Sequence, residues 1–499
     1  MDSTNASRCS PEISLDPDRW EDFRHAAHRA LDDALDLIST IREGPVWRRM
    51  PDEVREELRE PVPRQGRPFE EVYRRFADCI LPYFTGNIHP RFFGWVHGTG
   101  QAGGIVAEMM TAAMNANCGG RDHGAIHVER AVIEWCKEIF GFPADASGLL
   151  VSGTSMANLI ALTVARNAYV PDIRAAGLVE SGGRLAVYAS VEAHESSVKA
   201  LEMLGLGSKA LRKIPVDGDF RMDVALLRQQ IAEDRAAGME PFCAIGSAGT
   251  VNTGAVDDLD AIATVCADEG MWFHVDGAFG GLCALSDRLR PELRGIERAD
   301  SLGFDFHKWM FVQYDAGCVL VRRGDLHKAA FTMRPAYLKH GKGQRGLAAG
   351  ADWPCEFGPE LSRGFRALKI WFAMQEHGAE RFARVIEQNC AQARHLAQRV
   401  CAEPDLELLA PVKLNVVCFR FAPPELTPEA VDELNEAIVA DLHESGIAAP
   451  STTRVRGRLA IRTAITNHRS RQADLDILID HVLCMGRARV QGMVAAGSA

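Results

Sequence analysis

Between residues 86 and 375, short apolar runs alternate with stretches of helical periodicity. A chain written this way buries its strands in a sheet covered by helices, so the expected fold class is α/β with a mainly parallel central sheet. Candidate strands are 148–152 (GLLVS), 185–190 (LAVYAS), 242–248 (FCAIGSA), 271–276 (MWFHVD) and 316–322 (AGCVLVR). Helical patterns at about 155–168, 223–236 and 257–269 lie between them. The flanks read differently. Residues 1–85 form a helical arm, with apolar stripes over 18–42 (Trp20, Phe23, Ala27, Leu31, Leu35, Ile38) and 68–82, broken by Pro61, Pro63 and Pro68. Residues 376–499 mix helical patterns (378–402, 427–445, 472–485) with strand-like runs at 413–421 and 457–464, a smaller α+β domain with a frayed tail.

Composition narrows the function classes. A length of 499 residues allows about three domains of roughly 150 each and a large core. Net charge is −11, so no overall basic charge draws the chain to nucleic acid or anionic lipid. No apolar run approaches the ~18 residues of a membrane span, and the N-terminus lacks the order of a secretory signal. The 13 cysteines are odd in number and form no C-x-x-C pair. That usage predicts reduced thiols in a cytoplasmic protein.

The sharpest motif is FHVDGAFGG (273–281) followed by DFHKWMFVQYDAGCVLVR (305–322). Lys308 stands between His307 and Trp309, ahead of an apolar run, where an unpaired ammonium is costly to bury. A Schiff base with a carbonyl cofactor removes that cost. Asp276 closes a strand, the place where ligands dock in open α/β sheets, and a carboxylate there suits a protonated pyridine nitrogen. A structural Lys–Asp ion pair is the competing reading. In LLVSGTSMANLIAL (149–162), Thr154 and Ser155 open a helix, as a phosphate cradle or as a simple N-cap. His194 in VEAHESS and Thr250 in SAGTVNTG follow two further strand ends. Residues 324–352, Gly-rich, basic and weakly periodic, read as a lid or a disordered loop.

Together these strings resemble the group II pyridoxal 5′-phosphate (PLP) amino-acid decarboxylases of fold type I, aromatic-L-amino-acid branch, over about residues 15–485. The resemblance implies a PLP-dependent transferase-like fold and a homodimer. It implies decarboxylation of an L-amino acid, aromatic in this branch, to the amine and carbon dioxide. The alternative is an aldehyde synthase that also deaminates oxidatively. By the same resemblance Lys308 carries PLP and Asp276 faces the pyridine nitrogen. His194 stacks on one ring face and Ala278 packs on the other. Thr154 and Ser155 bind the phosphate, Thr250 lies near the ring, and His307 joins the cofactor-binding set. Tyr337, in PAYLKH of the loop, is the proton donor to the substrate. Phe92 and Trp95, with Phe93, match a segment lining the substrate pocket, though all three suit a core equally. Ser362 matches a position where Ser accompanies phenol or imidazole rings.

Three residues depart from the family pattern. Asp305 replaces an Asn, Phe306 a Pro or Ala, and Gly277 an Ala. An acid beside a phosphate is unfavourable, so Asp305 is expected to use only its backbone or to face elsewhere. Two local matches carry little. GTGQAG (98–103) fits G-x-G-x-x-G but lacks the strand and downstream acid of a dinucleotide site. His123 and His127 are spaced i, i+4 without a third ligand, and no metal site is expected.

Overall fold

The computed structural model describes residues 13–180, 184–333, 346–347 and 352–497. These fall into two compact units: the residues up to Gly44 with Arg48–Thr85, and Pro45–Trp47 with the residues from Gly86 onward. The first unit contains helices α1 (Trp20–Ser39), α2 (Asp52–Glu57) and α3 (Phe69–Cys79). Within it, Phe23 packs edge-on to Phe69, and the Tyr73 hydroxyl donates to Asp33 Oδ2 at 2.6 Å. Trp20, Leu35, Phe69, Val72 and Phe76 remain exposed.

The second unit begins with α4 (Ala102–Met114) and α5 (Gly124–Phe140), then β1 (Ser147–Val151), α6 (Thr154–Tyr169), α7 (Ile173–Glu180), β2 (Leu185–Ser190) and α8 (Ser196–Met203). It continues through β3 (Leu211–Ile214), α9 (Val224–Ala236), β4 (Glu240–Ser247), α10 (Leu259–Glu269), β5 (Trp272–Asp276), β6 (Ser301–Asp305), α11 (Phe306–Trp309), β7 (Gly317–Val321) and α12 (Gly324–Phe331). These seven strands form one sheet in the order β1-β7-β6-β5-β4-β2-β3. Four pairings are parallel, from β6 through β3. β7 runs antiparallel to both β1 and β6, so the sheet is mixed at that side. Every residue of β2, β6 and β7 is buried, as expected for strands covered on both faces.

A second sheet, order β10-β11-β9-β8 and antiparallel throughout, comprises β8 (Leu406–Leu408), β9 (Val416–Phe421), β10 (Ser451–Val455) and β11 (Arg458–Ala464). It packs with α13 (Ala367–Ala402), α14 (Pro428–Glu444) and α15 (Gln472–Gly497). α13 bends at Gly378, whose φ of 70° only glycine adopts freely. Periodicity located the strands at 185–190 and 271–276 but not β3 or β6. β3 is only four residues long, and SLGFD of β6 carries a Ser, a Gly and an Asp that mask its burial. Two stretches read as irregular are helical: the first part of the 324–352 segment is α12, and α15 runs through the tail to Gly497.

Candidate active site

The site grows from adjacent strand ends. Ser247 of β4 pairs with Asp276 of β5, and Asp276 with Gly303 of β6. Backbone bonds extend this register past the strands: Ala248 N–H donates to the Asp276 carbonyl at 2.8 Å, and Asp305 N–H to that of Ala278 at 3.1 Å. Thr250, Asp276, Ala278 and Lys308 therefore leave the sheet side by side. α6 packs across β5, β6 and β7, which carries its first turn to Asp305. Gly317 permits this approach, since a Cβ there would lie 2.6 Å from Gly153 Cα.

Asp305 joins two positive groups. Its Oδ1 accepts the Thr154 backbone N–H at 2.7 Å, capping an α6 N-terminus that has no side-chain cap of its own. Its Oδ2 lies 2.9 Å from Lys308 Nζ. The expectation that this carboxylate faces elsewhere is therefore corrected. A half-buried ammonium and a buried helix N-terminus together favour an anion at this point. Burial opposes the charge on Lys308, yet Asp305 outweighs it by charge and hydrogen bond, with Asp276 adding to the effect. The ammonium thus titrates above the ordinary lysine value. His307 is buried beneath this pair: its Nδ1 accepts the Ala316 N–H at 3.1 Å, and its Nε2 is 3.6 Å from Asp305 Oδ2. Burial pulls the His307 pKa down, against the pull of Asp305.

Asp276 is held as an acceptor. Its Oδ1 takes the Ala278 N–H at 3.1 Å and its Oδ2 an N–H of Asn158 at 2.9 Å. Asn158 also reaches Ser196 Oγ, which lies 2.8 Å from His194 Nδ1. His194 itself is exposed, as is Ser155 at the second position of α6. Thr250 is buried in the turn after β4, its hydroxyl 3.1 Å from that of Thr253.

The aromatic residues divide. Phe93 belongs to the core beneath the second sheet. Phe92 is buried and Trp95 is 55% exposed, their rings 6.2 Å apart. His97 stacks on both, and Tyr314 links His97 to His307, with ring centroids 6.3 and 4.3 Å away. The cluster thus leads to the residue beside Lys308. Sequence reasoning missed His97, Tyr314, Asn158 and His274. Two of these carried a signal: Asn158 stands one helical turn after Thr154, and His274 shares a strand face with Asp276. Ser362 is not in this group; it lines a separate cavity with Asn117, Arg121, Trp353 and Cys355. Tyr337 lies outside the described residues. GTGQAG has a packing role: a Cβ on Gly98 would lie 1.5 Å from the His307 carbonyl oxygen. His127 Nε2 lies 2.9 Å from Asp122 Oδ1, and no cluster of three metal-ligating side chains occurs among the described residues.

These residues fit PLP. Thr154 Oγ1 is buried on the first turn of α6 with no hydrogen-bond partner among the described residues, a donor available to a phosphate. A primary amine and an acceptor carboxylate stand at neighbouring strand ends. The chain matches the pyridoxal-dependent decarboxylase conserved domain over residues 51–422. It is 35% identical to an aromatic-L-amino-acid decarboxylase of Bacillus atrophaeus, covering 90% of this chain and 92% of that one. It is 29% identical to a tryptophan decarboxylase of Camptotheca acuminata, over 93% of each chain. Among solved structures, Oryza sativa TDC with PLP and tryptamine superposes with a TM-score of 0.88 at 26% identity, covering 95% of this chain and 100% of that one. With a family match spanning most of its length and the lysine and carboxylate in place, this chain belongs to the pyridoxal-dependent decarboxylases.

Proposed function

We propose that this PLP-dependent decarboxylase acts on an aromatic L-amino acid, releasing carbon dioxide and the amine. The observation that carries the reading is Lys308 Nζ, held by Asp305 beside Asp276 at the ends of β5 and β6. Support for an aromatic substrate comes from the relatives' names and from the ring series Phe92, Trp95, His97 and Tyr314.

When bound, PLP supplies the electron sink for the pair left by departing carbon dioxide. Lys308 would hold the cofactor through Nζ, and Asp276 would keep a proton on the ring nitrogen. Thr154 and Ser155 would take the phosphate, and His194, Ala278, Thr250 and His307 would surround the ring. Phe92 and Trp95 exclude water and orient the substrate side chain. Tyr337 returns a proton to the α-carbon. Ser362, which lines a separate cavity with Trp353, takes no part in this reading. Resemblance to the family supports a homodimer, and the cysteine usage supports the cytoplasm. The same reading keeps the division into an arm (1–85), a PLP-binding domain (86–375) and a small C-terminal domain (376–499).

The test pairs a spectrum with an assay. Purified protein reconstituted with PLP is scanned before and after borohydride, and the modified peptide is identified. It is then incubated with L-tyrosine, L-dihydroxyphenylalanine, L-tryptophan, L-phenylalanine, L-histidine and L-glutamate. Trapping on Lys308 with amine and no peroxide is expected. Aldehyde with stoichiometric peroxide moves the chain to the aldehyde synthases. Turnover of glutamate alone overturns the aromatic assignment.

A further inference from the structure

A buried chain of side chains runs behind Asp276, and its direction is set from the carboxylate end. At one end Trp272 Nε1, which can only donate, lies 2.8 Å from Ser301 Oγ. Ser301 therefore accepts there and has one proton left, facing His274 Nδ1 at 2.9 Å. His274 is fully buried, and burial drops its pKa to about 4 against the pull of Asp276. It is neutral, accepts at Nδ1 and carries its proton on Nε2. That nitrogen lies 2.9 Å from Asn158 Oδ1.

At the other end Asp276 is acceptor-only when ionised, so the Asn158 amide must turn its N–H toward Oδ2 and its carbonyl toward His274. A Ser301 hydroxyl that donates to His274 Nδ1 completes the same orientation. A branch repeats the logic. The Asn158 N–H also reaches Ser196 Oγ at 3.2 Å, leaving the Ser196 proton for His194 Nδ1 at 2.8 Å. The Ser196 backbone N–H points at the same nitrogen from 3.2 Å. Two donors aimed at Nδ1 make it an acceptor, so neutral His194 carries its proton on Nε2.

We propose that Asn158 and His274 are positioning residues. Through one buried amide they hold Asp276 as a hydrogen-bond acceptor and His194 as its Nε2–H form, the two groups assigned to the ring nitrogen and ring face of PLP. The inference rests on that assignment. Neither residue is assigned a contact with the cofactor. Each acts by leaving its neighbour a single hydrogen-bond direction, in a region where an unsatisfied polar group is costly.

Two measurements test this. First, protein with 15N-labelled histidine is studied by long-range 1H–15N spectroscopy, with H274Q and H194Q used to assign signals. The neutral form of both imidazoles is expected to be Nε2–H, and His274 is expected to stay neutral at pH 5. An Nδ1–H form or an imidazolium at position 274 at pH 7 overturns the chain. Second, the PLP dissociation constant and the pH midpoint of bound-PLP absorbance are compared across variants. N158D keeps the shape but sets a second carboxylate against Asp276, and H274F removes the donor to Asn158. Each is expected to weaken PLP binding tenfold or more and to move the midpoint. H274Q, which restores an N–H near the position of Nε2, is expected to recover most of both. Folded N158D and H274F with the parent's affinity and midpoint overturn the positioning role, whatever the tautomers. Failure of the unaltered protein to take up PLP is a separate result, and it overturns the assignment of Asp276 and His194 on which the inference stands.

Discussion

Lys308 Nζ lies 2.9 Å from Asp305 Oδ2, while the other oxygen of the same carboxylate caps the first turn of α6. One buried anion thus neutralises a lysine and a helix end that are 154 residues apart in the chain. The pairing keeps Lys308 protonated, whereas attack on an aldehyde requires the neutral amine.

The two roles of Asp305 separate by substitution. D305N retains an oxygen for the Thr154 N–H but removes the charge that raises the Lys308 pKa. The pH midpoint for PLP attachment, followed by stopped-flow absorbance, should move down. D305A also loses the cap and should cost about 1 kcal/mol more in folding stability. An unmoved midpoint in D305N removes Asp305 from control of the lysine.

Acid lability has a named source away from the site. His327 on α12 is fully buried, Nδ1 2.8 Å from Ser147 Oγ, and burial lowers its pKa from 6.5 to about 4. Between those values the folded state binds fewer protons than the unfolded state, so stability falls as pH drops through the window. A shift of this size corresponds to about 3 kcal/mol by pH 4. H327Q, neutral throughout, should show a correspondingly shallower decline of urea stability between pH 6.5 and 4. Parallel curves for the two proteins would falsify the account.

Arg363 and Glu129 form a buried bidentate pair, with contacts of 2.6 and 3.0 Å, and Arg363 also holds the carbonyls of Leu150 and Cys118. R363M leaves Glu129 uncompensated and should cost about 3–5 kcal/mol in denaturant unfolding. Adding E129L should recover part of that loss. A double variant less stable than R363M would show that the stranded carboxylate is not the source of the cost.

Gly98 sits where a Cβ would meet the His307 carbonyl oxygen, a backbone atom that cannot swing aside. G98A should displace the His307–Lys308 backbone, costing about 1–3 kcal/mol or more in stability and lowering PLP affinity. Full retention of both would mean that the segment moves freely against α11.

Much of this site was legible before any fold was drawn. Lys308 between two ring residues, Asp276 at the end of an apolar run and Thr154 at a helix start were marked as candidates by local pattern, because burial and strand or helix ends follow from patterning over a few residues. The roles given to them came from the resemblance of the whole motif series. The side chains behind them were not legible. Asn158 contacts Asp276 and His274 across 118 and 116 residues, and its orientation depends on donors at Trp272 and Ser301 that no periodicity marks.

Alternation of strands and helices, the order of the motifs and the identities of the lysine, the carboxylate and the helix-opening hydroxyl are properties of the chain alone. The antiparallel placement of β7, the inward turn of Asp305, the ring series from Phe92 to His307 and the position of Ser362 in another cavity are properties of the folded state. The division has one physical cause. Local pattern reports which residues are buried, whereas the direction of a hydrogen bond or ion pair is set by whichever distant group packing brings within about 3 Å.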